Sequence, residues 1–480
     1  MEKSLVLSCH VCFIYFEVEV GGALEVEVEF LLFFTKNLLY SPYSSSKVVV
    51  YRLPTVYRKM SKATDRQKNI YINGMSGRRP LIPTDAHKLR QKARERMTTE
   101  AYAYIAGGAG REDTIVANRS GFDQWKIVPR MLRDVSERDT SLTLFGQSLS
   151  SPFLLAPIGV LEMAHRRADR AVAQAAKNTR TPMIFSNQAS VSMESCARIL
   201  EDSPHWFQLY WSKSDDLVAS LAKRAEDCGC SAIVVTLDTT LLGWRNQDLD
   251  LAHLPFLHGK GIAQYTSDPV FNRLLNEKSD TADAKTSQRI NPTTLAALFK
   301  LAWRFPGRFT NNLTSGIPLK SIRKFIEIYS RPSLTWKNIA FLRERTSLPI
   351  LLKGILHTDD ALQALRHGIN GIIVSNQGGR QVDGAISTIE ALPGIVKAVN
   401  GQIPVLLDSG IRGGSDAFKA LALGATAVCI GRPYVYALTL AGSAGVEELV
   451  KNYQADFELT MALAGCKSLE EINRNSLTQK

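Results

Sequence analysis

The sequence predicts an α/β protein, a (β/α)8 TIM barrel with a long lid inserted after its fourth strand. Three observations carry that prediction. From about residue 90 onward, short apolar runs alternate with helical patterns, the order expected of a parallel sheet. The runs are almost continuously hydrophobic, as strands covered on both faces must be. Each run ends in glycine or polar residues, where such barrels carry their chemistry. An open doubly wound sheet is the competing topology, and it too binds ligands at the carboxyl ends of strands.

The strand-like runs are 153–156, 183–185, 206–210, 232–237, 349–352, 371–374, 405–407 and 427–430. Helical patterns lie between them, for example over 169–178, 214–228, 358–367 and 415–423. Between the fourth and fifth runs the connection is about a hundred residues long, far beyond an ordinary loop, and reads as a lid over about 246–348. Inside it, 306–332 is basic and looks foreign to the connection. It is either a true insertion or retained non-coding sequence.

The barrel is assigned to 65–480, and 1–64 to an N-terminal extension expected to be poorly structured. In the extension, apolar stretches over 5–16 and 30–40 flank a Glu-Val alternation around Glu17 to Glu29. Neither stretch reaches the roughly eighteen residues that span a bilayer. Glu17 and Glu19 stand where a signal peptide needs small neutral residues. Met60 or Met75 is a candidate for the true start. The last residues, Ser476-Leu477-Thr478-Gln479-Lys480, are not a peroxisomal tripeptide, so the cytoplasm is the expected location.

The 480 residues are 45% hydrophobic and 22% charged, which is ordinary globular usage with ample material for a core. The formal net charge of +12 suits an anionic cofactor or acidic substrates. No Lys/Arg-rich block interleaved with aromatics is present, so nucleic acid is not an expected partner. The 7 cysteines are scattered. Cys228 and Cys230 are too close for zinc spacing, and Cys9, His10 and Cys12 have no second ligand pair, so no metal is expected. Free thiols in a reducing compartment are the natural reading.

The strand ends hold the candidate site. In order they are Ala156-Pro157-Ile158-Gly159, Ser186-Asn187-Gln188, Gln208-Leu209-Tyr210 and Thr236-Leu237-Asp238, the last followed by Leu242-Gly243-Trp244-Arg245. Then come Lys353-Gly354, Ser375-Asn376-Gln377-Gly378-Gly379-Arg380-Gln381, Asp408-Ser409-Gly410-Ile411-Arg412 and Gly431-Arg432-Pro433. Glycines and arginines after the last two strands suit a phosphate cradle, built from backbone N–H groups and a helix amino terminus. The ligand is therefore expected to be a phosphorylated cofactor. Lys353 is placed to stabilise negative charge developing on a ring. Arg245 and Arg380 are placed to clamp a carboxylate, with Tyr210 as a hydroxyl partner.

These residues resemble the FMN-dependent α-hydroxy acid oxidase and dehydrogenase family, which includes glycolate oxidase, flavocytochrome lactate dehydrogenases and lactate 2-monooxygenase. The resemblance covers about 68–480 except 306–332. It rests on Tyr104-Ile105-Ala106-Gly107-Gly108-Ala109, Pro129-Arg130-Met131-Leu132, and the Pro-Ile-Gly, Thr-Leu-Asp-Thr, Leu-Gly-Trp-Arg and Asp-Ser-Gly-Ile-Arg segments. The Gly-Trp-Arg form and the long lid most resemble the lactate 2-monooxygenase branch. The resemblance implies FMN, with Pro157, Ile158, Gly159, Ser186, Gln208, Thr236, Lys353 and Ser375 around the isoalloxazine. It implies Asp408, Gly410, Arg412, Gly431 and Arg432 for ribityl and phosphate. Tyr104, Tyr210, Arg245 and Arg380 would take a small carboxylate substrate, and Asp238 would orient the base. It also implies a homo-tetramer or larger and, with no haem domain ahead of the barrel, oxygen as acceptor.

Two positions depart from the family. Gln188 occupies a variable, often aromatic place, which leaves substrate size open. Gln377 occupies the place of the family's catalytic histidine. An amide donates and accepts hydrogen bonds but is no base, whereas histidine titrates near neutrality. Gln377 can substitute for the imidazole's contacts, with Asp238 as one acceptor for its amide. Three readings stay open: altered chemistry on a substrate needing no histidine, a 2-hydroxy acid oxidase with weak turnover, or a non-catalytic flavin-binding relative.

Overall fold

Eight parallel strands close into one barrel. They are β1 (Phe153–Leu155), β2 (Met183–Phe185), β3 (His205–Tyr210), β4 (Ile233–Thr236), β5 (Ile350–Ile355), β6 (Gly371–Val374), β7 (Val405–Leu407) and β8 (Ala427–Ile430). Each pairs with its sequence neighbour, and β8 pairs with β1 to close the ring. This computed structural model describes residues 10–20, 23–33, 62–277 and 292–480. The eight runs read from sequence are these eight strands, and the open doubly wound alternative is set aside.

Period-two alternation divides the strands between two cores. Outward residues such as Phe153, Phe185, Leu209, Val235, Leu352 and Val374 pack beneath the helices. Inward residues Leu154, Ile184, Trp206, Val234, Leu351, Ile373, Leu406 and Cys429 fill the barrel. A hairpin of Leu142–Leu144 and Gln147–Leu149 brings Leu144 and Leu149 to that inner cluster. The Phe145 ring meets Trp206 edge-on at 5.6 Å between centroids.

The helices after the strands are α1 (Ala168–Thr179), α2 (Met193–Leu200), α3 (Asp215–Asp227), α4 (Trp336–Arg343), α5 (Thr358–Arg366), α6 (Thr388–Val399), α7 (Gly414–Ala422) and α8 (Arg432–Leu463). The Ser214 hydroxyl caps α3 by accepting from Leu217 N at 3.3 Å. A reciprocal Ser387–Glu390 capping box starts α6. Strand β5 runs three residues further than the apolar pattern suggests. Gly354, at φ +106°, makes a bulge that shifts its register and lets it continue to Ile355.

The lid after β4 carries helices Pro292–Arg304, Phe309–Ser315 and Ile317–Ile328. Ile322, Phe325 and Ile328, inside the foreign-looking 306–332, are buried in the outer core. The Phe325 ring lies 4.8 Å from Tyr265, 5.2 Å from Phe256 and 5.1 Å from Tyr329. The stretch is therefore a packed part of the barrel unit.

The chain forms two compact units, Met1–Lys59 and Met60–Lys480. In the first, His10–Val20 and Ala23–Phe33 pair antiparallel, with His10 opposite Phe33 and Val20 opposite Ala23. The Glu-Val alternation has the period of a strand. Cys9 and the ends of both apolar stretches, 5–9 and 34–40, lie outside the described residues. Among the described residues no helix is long and apolar enough to cross a membrane.

Candidate active site

The site is the next layer of the barrel interior. Two residues beyond an inward core residue, the side chain again points inward. Trp206 is thus followed by Gln208 and Tyr210, Val234 by Thr236, Leu351 by Lys353, Ile373 by Ser375, and Leu406 by Asp408. The hydrophobic period that builds the core also sets polar groups at its mouth.

Tyr104, Pro157, Ile158, Gly159, Tyr210, Arg245, Lys353, Gln377, Arg380, Asp408, Gly410, Arg412, Gly431 and Arg432 line one cavity. Ser186, Thr236, Asp238 and Ser375 are not in its wall but each meets a lining residue through a hydrogen bond, strand pairing or an ion pair, and Gln208 lies behind them, bonded to Ser186. Gln188 also lines the cavity, as do Thr239, Leu242, Phe256, Tyr329 and Ser409, to which the sequence pattern assigns no role. Thr239 and Ser409 sit inside recognised motifs, so a signal for them existed. Phe256 and Tyr329 come from the lid, and no local pattern reveals where a lid folds back. Trp244 of the Leu-Gly-Trp-Arg segment is largely exposed.

Lys353 organises the centre. Its Nζ donates to Ser375 Oγ at 2.9 Å and to Gln377 Oε1 at 2.8 Å. It lies 3.4 Å from Asp408 Oδ2 and 3.8 Å from Asp238 Oδ2. Burial works against the charge, but Asp408 and Asp238 outweigh it, and the ammonium is held above its ordinary range. Burial pushes the Asp238 carboxyl up.

Gln377, Gly378 and Gly379 have φ of 54°, 66° and 75°, three left-handed residues in a row. That conformation is routine for glycine and costly for glutamine, so the loop must be held in place. Asn376 and Asn118 hold it with reciprocal amide bonds of 2.9 and 2.7 Å. Gln377 Nε2 donates to the Tyr210 hydroxyl at 2.9 Å. The amide does not donate to Asp238, contrary to the contact suggested by sequence: Lys353 takes its oxygen, and its nitrogen is turned to Tyr210. Asp238 Oδ1 accepts from Thr239 at 2.8 Å, and its buried Oδ2 has no hydrogen-bond partner.

Four guanidinium groups face the cavity, and among the described residues no carboxylate forms a salt bridge with any of them: Arg245, Arg380, Arg412 and Arg432. Arg380 donates to the carbonyls of Tyr104 and Gly107 and lies over the Tyr104 ring at 5.0 Å. Burial, then the neighbouring Arg245, pull its pKa down to about 9. Burial lowers Arg432 to about 10 and also lowers Arg412. Arg432 stands in the first turn of α8, where N–H groups also favour an anion. Largely covered cations at this density without a carboxylate partner favour anionic ligands.

The same mouth holds two more unsatisfied groups. Gln208 Nε2 and Thr236 Oγ1 are buried without a partner, while Gln208 Oε1 accepts from Asn187 N at 3.2 Å. Unpaired buried donors and acceptors are costly and mark places where a polar ligand edge belongs. A polar ring edge beside Gln208 and Thr236, with an anion among the arginines, matches what FMN offers.

Fold and site together define an anion-binding (β/α)8 barrel of the flavin type. The comparisons give the family. The family model for FMN-dependent dehydrogenases matches residues 93–479, and the chain belongs to that family, whose cofactor is FMN. It is 39% identical over 412 residues to the FMN-dependent alpha-hydroxy acid dehydrogenase qulF of Penicillium citrinum, covering 86% of this chain and 94% of that one. It is 38% identical over 420 residues to the L-lactate oxidase of Lysinibacillus sphaericus, covering 88% and 98%. A crystal structure of mandelate oxidase with (S)-4-hydroxymandelic acid superposes with a TM-score of 0.67 at 34% identity, covering 83% of this chain and 99% of that one.

Proposed function

We propose that the protein is an FMN-dependent oxidoreductase acting on a 2-hydroxy acid, with oxygen as acceptor and with turnover slowed because Gln377 stands where a base is needed. The carrying observation is the set of four cavity-lining guanidinium groups that, among the described residues, have no carboxylate in a salt bridge. They form two charge demands. Arg412 and Arg432, with the Gly410 and Gly431 backbone, suit the FMN phosphate, and Asp408 the ribityl hydroxyls. Arg245 and Arg380, with Tyr104 and Tyr210, suit a substrate carboxylate and its neighbouring oxygen. Gln208, Thr236, Ser186, Ser375, Lys353 and the Pro157-Ile158-Gly159 backbone would hold the ring.

Bound FMN supplies the two-electron acceptor for the substrate's C2 carbon. Lys353 provides a fixed positive charge beside the ring, preorganised by its two carboxylates. Arg245 and Arg380 orient the substrate. Gln377 and Tyr210 contact its 2-oxygen, but neither carries the basicity that general base catalysis requires, a loss of about 10²- to 10⁴-fold. The free Cys196, Cys228, Cys230, Cys429 and Cys466 support a reducing compartment, and a cytoplasmic homo-oligomer belongs to this reading. To test it, the purified protein is examined for a flavin absorption band and then mixed without oxygen with short and long 2-hydroxy acids. Slow bleaching by at least one supports the proposal. A colourless protein that cannot be reconstituted with FMN rejects it.

A further inference from the structure

The hydrogen-bond directions around Gln377 specify which oxidation state of ligand the site prefers. An ammonium has three donors and no acceptor, so the Gln377 atom facing Lys353 must be the oxygen. Asp408 and Asp238 keep that ammonium charged. The Gln377 NH2 therefore faces Tyr210, and the Tyr210 hydroxyl oxygen accepts from it at 2.9 Å. Tyr210's own proton then has no acceptor recorded among the described residues and is free to donate into the cavity that Tyr210 lines.

The acceptors nearest this chain in the cavity wall each already take a donor. Asp408 takes Lys353 on one oxygen and the Ser409 hydroxyl, at 2.7 Å, on the other. Gln377 Oε1 takes Lys353. Asp238 Oδ2 has no hydrogen-bond partner but is not in the cavity wall. With Arg245 and Arg380, the charged groups offered to a ligand's carboxylate are donors, and Tyr210 offers the neighbouring oxygen a proton.

We infer that the site binds 2-oxo acids in preference to the 2-hydroxy acids of the same skeleton, because the Lys353–Gln377–Tyr210 chain turns a donor toward the 2-oxygen and leaves no unengaged acceptor of its own for a hydroxyl proton. A carbonyl oxygen accepts from Tyr210 and has no proton to place. A hydroxyl in the same position must compete for acceptors that Lys353 and Ser409 already engage. This rests on the carboxylate-binding reading above and states which form of the substrate pair the resting site favours. Gln377→His reverses the pattern by placing a ring nitrogen able to accept the hydroxyl proton.

The test titrates the FMN-loaded protein, without oxygen, with three probes, reading flavin absorbance changes and heat of binding. Pyruvate presents a carbonyl. 2-Hydroxy-2-methylpropanoate presents a hydroxyl and has no C2 hydrogen to lose, so it is not consumed. Propionate presents the carboxylate alone. Pyruvate is expected to bind at least about tenfold tighter than the hydroxy acid, the scale of one buried group left unpaired. Gln377→His is expected to abolish or invert that ratio, and Tyr210→Phe to bring pyruvate down to the level of propionate. Equal affinities for pyruvate and the hydroxy acid in the unaltered protein overturn the inference, as does a ratio that survives Tyr210→Phe. If FMN binds but no probe does, including propionate, the carboxylate site itself is refuted and the inference with it.

Discussion

Lys353 Nζ lies 2.8 Å from Gln377 Oε1. This contact fixes which way the amide points, and so sets the hydrogen-bond direction for Tyr210 and for any ligand beyond it. Ser375 and two carboxylates hold the lysine, and the Asn118–Asn376 pair holds the loop that carries Gln377. The amide is thus firmly positioned.

The arginine pair makes the first prediction. Arg380 is half-buried beside the buried Arg245, and no carboxylate forms a salt bridge with either among the described residues. Replacing Arg380 with Met is expected to weaken carboxylate binding about 10- to 100-fold, the scale of a lost charge-assisted bond, while FMN stays bound. Titration with propionate under the flavin band measures it. Unchanged affinity would place the carboxylate elsewhere.

A second prediction concerns the cofactor loop. Gly410 has φ +101°, and a Cβ there would come within 2.3 Å of the Asn118 carbonyl oxygen. Gly410→Ala must therefore move the Asp408–Arg412 turn. Faster FMN loss on dilution is expected. Retention equal to that of the unaltered protein would detach this turn from cofactor binding.

The lid makes the third. Phe325 is fully buried against Phe256, Tyr265 and Tyr329, and Tyr329 lines the cavity. Phe325→Ala is expected to cost about 3–5 kcal/mol, as large-to-small changes of a core aromatic do. Denaturant unfolding monitored by tryptophan fluorescence reads it. A cost below about 1 kcal/mol would mean that 306–332 does not pack into the barrel unit.

Stability should also depend on pH through Asp169, near the amino end of α1. Burial raises its carboxyl to about 7, although Oδ2 accepts from Ser190 N at 2.9 Å. Because the folded pKa lies above the unfolded one, the favourable contribution is complete below about pH 4. It is lost as pH rises to about 7 and is level beyond that, on the order of 1.4 kcal/mol for each pH unit separating the folded and unfolded pKa. Asp169→Asn lacks the titration, so its melting temperature should gain on the unaltered protein between pH 4 and 7. A difference independent of pH would show that Asp169 ionises normally.

Much of this was legible in the sequence because one periodicity governs both core and site. The run ending at Tyr210 or Val374 identifies a covered strand, and the polar residue following the inward position identifies the mouth. Gln208, Thr236, Lys353 and Asp408 were readable for that reason. The lid's contributions were not. Phe256 and Tyr329 reach the cavity by folding back across more than a strand's length of chain, and their local pattern is that of any buried aromatic. The orientation of Gln377 was also hidden. Sequence offers Asp238 as an acceptor for its amide, and only the position of Lys353, brought in from a neighbouring strand, turns that amide to Tyr210 instead. The β5 extension depended on the Gly354 bulge, which an apolar pattern cannot register.

The most direct test of the account compares the unaltered protein with Gln377→His, both loaded with FMN, in rapid anaerobic mixing with 2-hydroxy acids at neutral pH. The imidazole would meet Asp238 Oδ2, now without a hydrogen-bond partner, and regain a base. Flavin bleaching is predicted to be about 10²- to 10⁴-fold faster in Gln377→His than in the unaltered protein. Equal rates in the two proteins would contradict the claim that position 377 holds the place of the base.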